Sequence, residues 1–205
     1  METVARRVEM MDLMSDEDLL ILCGEDVKAD LIGGVMVVQT PASFRHQRLE
    51  RFLLSLLGMY VEEKGLGEVV ASRMAVYLGR GYIFEPDILF VTTGRLDIIK
   101  ETHVGGAPDL VVEILSSSSA YYDRGIKREI YERFGVKELW LLDPYGPEGT
   151  QFLVRKGERF EEAPMEGGIY RSQVIEGFWL KADWLWPEGE KFPPVRKILS
   201  ELMSA

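Results

Sequence analysis

Apolar positions recur along this chain with two different periods, and the alternation between them lays out the fold. Leu49, Phe52, Leu53, Leu56, Leu57 and Tyr60 repeat at helical spacing and predict a long helix from about Ser43 to Lys64. Ahead of it, Asp30-Leu31-Ile32 and Val35-Met36-Val37-Val38 flank Gly33-Gly34, which predicts a tight hairpin. Ser15-Asp16-Glu17-Asp18 has the form of a capping box, continued by Leu19, Leu20 and Leu22 as a short helix. Beyond the long helix, strands are expected at about Glu68 to Leu78 and Tyr82 to Val91, separated by Gly79-Arg80-Gly81, and then at Asp109 to Leu115. The serines Ser116 to Ser119 cap a helix of roughly Ala120 to Phe134, which Gly135 ends. Glu138 to Asp143 reads as the next strand, stopped by Pro144, and Thr150 to Ile175 as short antiparallel strands before a C-terminal helix. This order predicts an α/β domain: a mixed sheet with helices on its faces and a β-rich C-terminal flank.

The 205 residues, 46% of them apolar, suffice for one sizeable core. We expect a single domain over 1–205, with a core at about 40–145, an N-terminal helix and hairpin at 13–39, and a β-rich extension at 150–205. No apolar run is long enough to span a membrane, and Met1 to Met14 lacks a signal-peptide core, so a cytoplasmic protein is expected. Cys23 is the only cysteine, which excludes an intrachain disulfide and a cysteine-based zinc cluster. Any metal must therefore use oxygen ligands, helped at most by His46 and His103. Asparagine is absent while Glu, Lys and Arg abound, a bias that suits a thermophilic source. The net charge of −10, from 34 acids against 24 bases, runs against a broad phosphate-binding face. Bases nevertheless gather at Arg124, Lys127, Arg128 and Arg133 and again at Arg45, Arg48 and Arg51.

The chemistry lies in acids embedded in apolar strands: Glu85-Pro86-Asp87-Ile88-Leu89-Phe90-Val91, and Pro108-Asp109-Leu110-Val111-Val112-Glu113-Ile114-Leu115-Ser116. A carboxylate there is costly to bury unless paired, protonated or bound to a cation. Strand alternation puts Asp109, Val111, Glu113 and Leu115 on one face, so Glu113 projects from mid-strand. With Asp87 near the start of a neighbouring strand, the two acids can converge on one Mg²⁺ or Mn²⁺. Other readings stand beside these. Asp87 after Pro86 also suits a turn, and Asp123 with Lys127, four apart on a helix, also suits an exposed ion pair over which Tyr131 packs. Glu50 and His46, one turn apart on the same side of the long helix, also suit a solvated surface, and His103 a loop. The aromatics Phe178, Trp179, Trp184 and Trp186 suit packing better than base stacking.

Taken together these segments resemble the PD-(D/E)xK nuclease superfamily, and in particular its Uma2-like restriction-endonuclease branch. The resemblance rests on Glu17-Asp18-Leu19, Pro41, His46, Pro86-Asp87, the Pro108 to Ser116 strand, Asp123, Lys127, Tyr131, Gly135-Val136 and Glu138 to Pro144. It implies a restriction-endonuclease-like mixed sheet, with Asp87, Glu113 and Glu50 as metal contacts and Asp87, Glu113 and Lys127 as catalytic residues. The superfamily lysine two places after the acid is Leu115 here, and the resemblance implies its migration to Lys127. It further implies Mg²⁺ or Mn²⁺ as cofactor, DNA as substrate, and a homodimer or dimer of dimers. The alternative is a non-catalytic nuclease-fold module that binds a protein or nucleic-acid partner.

Overall fold

The computed structural model describes residues 14–17, 27–116, 119–188 and 191–204. Of the capping-box helix, Asp16 and Glu17 are helical, and Asp16 Oδ1 accepts a hydrogen bond from Gly81 N at 2.9 Å. Leu19, Leu20, Leu22, Cys23, Ser117 and Ser118 lie outside the described residues.

The expected hairpin forms as β1 (Ala29–Ile32) and β2 (Val35–Val38), paired antiparallel across Gly33-Gly34. The long helix α1 (Phe44–Lys64) begins at Ser43, whose hydroxyl accepts from His46 N, and ends at Gly65 in the left-handed conformation that glycine adopts without a Cβ penalty. Its apolar positions are buried, as their spacing requires.

Each of the two strands expected next is two strands. Glu68 to Leu78 divides into β3 (Gly67–Ala71) and β4 (Ala75–Gly79), and Tyr82 to Val91 into β5 (Tyr82–Phe84) and β6 (Ile88–Thr92). The physical reasons are local. Ser72-Arg73 forms a turn with Arg73 at φ 78°, a left-handed conformation for a residue with a side chain. Pro86 has no amide proton to give a ladder, so pairing stops there and resumes at Ile88. The halves then join different sheets: β4 and β5 extend the hairpin into a five-stranded sheet in the order β2-β1-β5-β4-β7, with β7 at His103–Gly105. β3 and β6 enter a six-stranded mixed sheet with β8 (Leu110–Ile114), β9 (Glu138–Leu142), β10 (Gln151–Lys156) and β11 (Arg159–Glu162), in the order β11-β10-β9-β8-β6-β3. Its one parallel pair is β8 with β9, joined through the intervening helical segment. Gly67 allows the close approach of β3 to β6, since a Cβ there would lie 2.1 Å from Val91 O.

The expected helix from Ala120 to Phe134 is interrupted. α2 (Ala120–Tyr122) passes through a kinked segment (Asp123–Lys127), with Gly125 outside helical geometry, into α3 (Arg128–Phe134), closed by Gly135 at φ 92°.

The large sheet carries a core on each face. On one, Leu110, Val112 and Ile114 of β8 meet Leu53, Leu56 and Leu57 of α1 and the aromatic flank of Phe178, Trp179 and Trp184. On the other, Val111 and Leu115 meet Ile130 and Tyr131 beneath the small sheet. The alternation predicted for this strand is thus realised, and the C-terminal aromatics pack as expected, with Trp186 Nε1 donating to Asp143 O at 2.9 Å. That flank also carries β12 (Ile169–Arg171), β13 (Trp179–Lys181), α4 (Ala182–Leu185) and α5 (Val195–Met203).

Candidate functional site

The break at Pro86 places Asp87 immediately ahead of β6. Ile88 pairs with Val112, so one step back along the antiparallel register sets Asp87 across from Glu113. The two acids flank a cavity of about 500 Å³, which α1 lines with His46 and Glu50, the hairpin with Lys28, Val38 and Gln39, and the β3–β4 turn with Ser72 and Arg73. The hairpin, α1 and the β3–β4 turn therefore meet over the end of the large sheet.

Asp87 is 3% exposed and carries several contacts. Its Oδ2 accepts from Ile114 N at 2.7 Å, and its Oδ1 accepts from Lys28 Nζ at 2.8 Å and lies 3.3 Å from His46 Nε2. Burial alone would push this carboxyl up, but the hydrogen bond with His46 and the charge of Lys28 hold it well below the usual carboxylate range. Asp87 is therefore an anion, and a buried anion needs a cation. Lys28 supplies that charge.

His46 is buried and is not the helix-surface residue that its position suggested. Its Nε2 lies 3.8 Å from Glu50 Oε2, as their one-turn spacing predicts, and Glu50 accepts through Oε1 from Ser72 Oγ at 3.0 Å. Burial disfavours the imidazolium, but Asp87 and Glu50 outweigh it and raise the His46 pKa above its ordinary value. One ligand atom from each of His46, Glu50 and Asp87 lies within 4.8 Å of the other two. An imidazole and two carboxylates suit Mn²⁺ or Mg²⁺. By contrast His103, on β7, rests against the Tyr77 ring with centroids 4.7 Å apart.

Glu113 lines the same cavity but is tied on its other side. Its Oε1 accepts from Tyr131 Oη at 2.7 Å and lies 2.6 Å from Lys127 Nζ. Burial pushes this carboxyl up to about 7 against the pull of Lys127, and the like charges of Asp123, Asp87 and Asp30 add to the rise.

The pair of Lys127 with Asp123 is not an exposed helix pair. Lys127 is 1% exposed, and its ammonium lies 2.6 Å from Glu113, 3.4 Å from Asp30 and 3.7 Å from Asp123. Burial opposes the charge, yet Asp30 and Glu113 overcome it and hold Lys127 well above the ordinary lysine value. Phe84 and Tyr122 offer their ring faces at 5.3 Å and 5.8 Å. The sequence-predicted residues Asp87, Glu113, Glu50 and Lys127 thus converge, with Lys127 behind Glu113 and away from the cavity lining.

Two neighbours of these residues escaped sequence reading. Asp30, fully buried on β1, accepts from Gln39 Nε2 at 2.9 Å and Glu85 N at 3.0 Å, and it faces Lys127. An acid at the head of Asp30-Leu31-Ile32 is the same signal that singled out Asp87. Lys28, two residues earlier, carries no comparable signature, since an isolated lysine beside a hairpin is ordinary surface.

A family model, Uma2, described as "Putative restriction endonuclease", matches residues 16–183. The fold is similar to that of a crystal structure described as "a putative nuclease belonging to DUF820" from Anabaena variabilis ATCC 29413. The TM-score is 0.58 and the identity 16%, over 85% of this chain and 90% of that one. No curated protein matches the chain.

Proposed function

Since the chain belongs to the Uma2 family, by a match over residues 16–183, we propose that it is a metal-dependent endonuclease that hydrolyses phosphodiester bonds in DNA. The observation that carries this reading is the convergence of His46, Glu50 and Asp87 within 4.8 Å of one another beside Glu113, on the wall of a cavity. These residues would hold one divalent cation, Mg²⁺ or Mn²⁺, with Glu113 the further carboxylate on that wall. Bound there, such an ion lowers the pKa of a water and neutralises charge on phosphate oxygens.

The chain's own residues supply position and polarity. Ile114 N fixes the rotamer of Asp87, Ser72 orients Glu50, and Tyr131 with Lys127 holds Glu113 from behind. Lys127 works through Glu113 as a positioning residue. In the overall reaction one water is consumed: its oxygen bonds to phosphorus and the phosphorus–oxygen bond to the sugar breaks. One water proton ends on the sugar hydroxyl, and the other stays with the phosphate monoester or passes to solvent.

A homodimer or dimer of dimers fits cutting of both strands, since each copy carries one such cluster. The second reading, a nuclease-fold module that binds without cutting, draws on the net charge of −10 and on the commitment of Glu113 Oε1 to Tyr131 and Lys127. The experiment that separates them incubates plasmid, linear duplex, single-stranded DNA and RNA with the protein at low salt, in Mg²⁺, Mn²⁺ or chelator, beside Asp87→Asn. Metal-dependent cutting of DNA that the variant lacks supports the endonuclease. Inertness toward every substrate, in either metal and at elevated temperature, favours the binding module.

A further inference from the structure

Two lysines flank the carboxylates of the site, and they face opposite ways. Lys127 is enclosed: three carboxylates surround its ammonium, two aromatic rings cover it, and its side chain is 1% exposed. To meet anything in the cavity it would have to leave Glu113, Asp30 and Asp123 unpaired in the interior, each at the cost of an uncompensated buried charge. Lys28 is arranged differently. Its side chain is 21% exposed, it lines the cavity, and its one ion pair among the described residues is with Asp87 Oδ1 at 2.8 Å.

Among the described residues, Lys28, His46 and Arg73 are the only side chains lining this cavity that can carry positive charge. His46 is engaged with Asp87 and Glu50. The acids of the wall, Glu50, Asp87, Glu113 and Asp123, repel a phosphate, so an anion entering here needs a cationic side chain able to turn toward it. Lys28 has the required flexibility, since its ammonium sits at the end of four methylenes and is bound to one carboxylate oxygen.

Resting on the endonuclease reading, we infer that Lys28 is the catalytic lysine of this site: its ammonium contacts the reacting phosphate, while Lys127 only positions Glu113. A divalent cation held by Asp87 would compete with Lys28 for that carboxylate, and the lysine stem would then be free to carry its charge to a phosphate oxygen. Lys28 donates a hydrogen bond there and keeps its proton, so the balance of the hydrolysis is unchanged.

The test measures steady-state DNA cleavage and calorimetric Mn²⁺ binding for the wild type, Lys28→Met, Lys28→Arg and Asp87→Asn. Methionine keeps the apolar stem and removes the charge. Loss of one charge-stabilising donor predicts a fall of about 100-fold or more in kcat for Lys28→Met with KM little changed, and partial recovery in Lys28→Arg. Mn²⁺ affinity in Lys28→Met should equal or exceed that of the wild type, because the competing ammonium is gone, whereas Asp87→Asn should lose it. Lys28→Met that cuts within threefold of the wild type overturns the inference and leaves the endonuclease reading standing. Loss of Mn²⁺ affinity together with activity in both Lys28 variants also overturns it, by making Lys28 a structural support. A wild type inert on every substrate removes the endonuclease reading, and the catalytic role of Lys28 with it.

Discussion

The ammonium of Lys127 lies 2.6 Å from Oε1 of Glu113, with both side chains buried and Tyr131 donating to the same oxygen at 2.7 Å. This contact divides the site into two layers. Asp87, in contact with Lys28 and His46, belongs to the layer that faces the cavity, Lys127 with Asp30 belongs to the layer behind it, and Asp123 lines the cavity while reaching back to Lys127. Glu113 joins them. Its neighbours on one side fix its rotamer, which leaves the residue against the cavity in a defined place.

The rear layer should be costly to break. An exposed helix pair would contribute at most about 1 kcal/mol, and Lys127→Ala would then be nearly silent. Burial reverses that expectation: the substitution leaves Glu113, Asp30 and Asp123 as uncompensated carboxylates, a loss of about 3–5 kcal/mol. Thermal and denaturant unfolding of Lys127→Ala measure it directly. A variant within 1 kcal/mol of the wild type would mean that the ammonium does not neutralise these acids.

How far the site can be read from sequence depends on which residues signal by their own context. Glu113 among Val, Leu and Ile announces itself, because a mid-strand acid has no ordinary structural role, and the helical spacing of α1 fixes His46 and Glu50 on one side of it. What periodicity cannot tell is which side that is, so His46 reads as surface although it is buried beside Asp87. The two divided strands were missed for a similar reason. β3 with β4, and β5 with β6, are continuous in their β-rich composition, and only the backbone of Arg73 and the missing amide of Pro86 reveal the change of sheet. Asp30 on that second sheet carries the embedded-acid signal, but nothing local to Lys28, just ahead of the same strand, could place it at the site.

The front layer should bind divalent ions by charge and not by shape. Asp87→Asn and Glu50→Gln preserve volume and remove one ligand anion each. Titration with Mn²⁺ should show affinity falling by about 10-fold or more for either, since loss of even a supporting partner of a metal ligand commonly costs 10–100-fold. Both variants should remain folded. Unchanged affinity in both would dismiss the cluster of His46, Glu50 and Asp87 as a metal site.

Arg73 offers a separation of stability from function. Its φ of 78° costs an L-residue about 1–2 kcal/mol, a penalty that glycine escapes. Glycine also gives the unfolded chain more freedom, which offsets about 0.4–1 kcal/mol of that relief. Arg73→Gly should therefore be as stable as the wild type or more stable by up to about 1.5 kcal/mol. DNA cleavage should nevertheless weaken, because the guanidinium is one of the cations lining the cavity. Full activity in this variant would make the residue a turn former and nothing more.

The clasp at Asp109 supplies a pH-dependent check on the scaffold, away from the cavity. Its Oδ1 meets Arg95 at 2.8 Å and Lys137 at 2.7 Å, and its Oδ2 accepts from Thr92 N at 2.9 Å, fastening the start of β8 to the end of β6. Burial of the carboxyl tends to raise its pKa, but hydrogen bonds from Lys137, Thr92 N and Arg95 outweigh it, and the pKa falls below the ordinary value of 3.8. A depressed carboxyl stabilises the fold fully above its unfolded pKa and loses that contribution as pH falls through the folded one. Asp109→Asn keeps the shape and removes the charge, so at neutral pH it should cost about 2 kcal/mol, the scale of hydrogen bonds to a charged group. Lys137 and Arg95 are partly solvated, which keeps the cost below that of a fully enclosed pair. The gap in unfolding free energy between wild type and variant should stay constant from pH 7 down to about pH 5, then close as the solution passes below the ordinary carboxylate value. A gap that is flat through pH 3, or that widens there, would show that the clasp does not draw its strength from the ionised carboxylate.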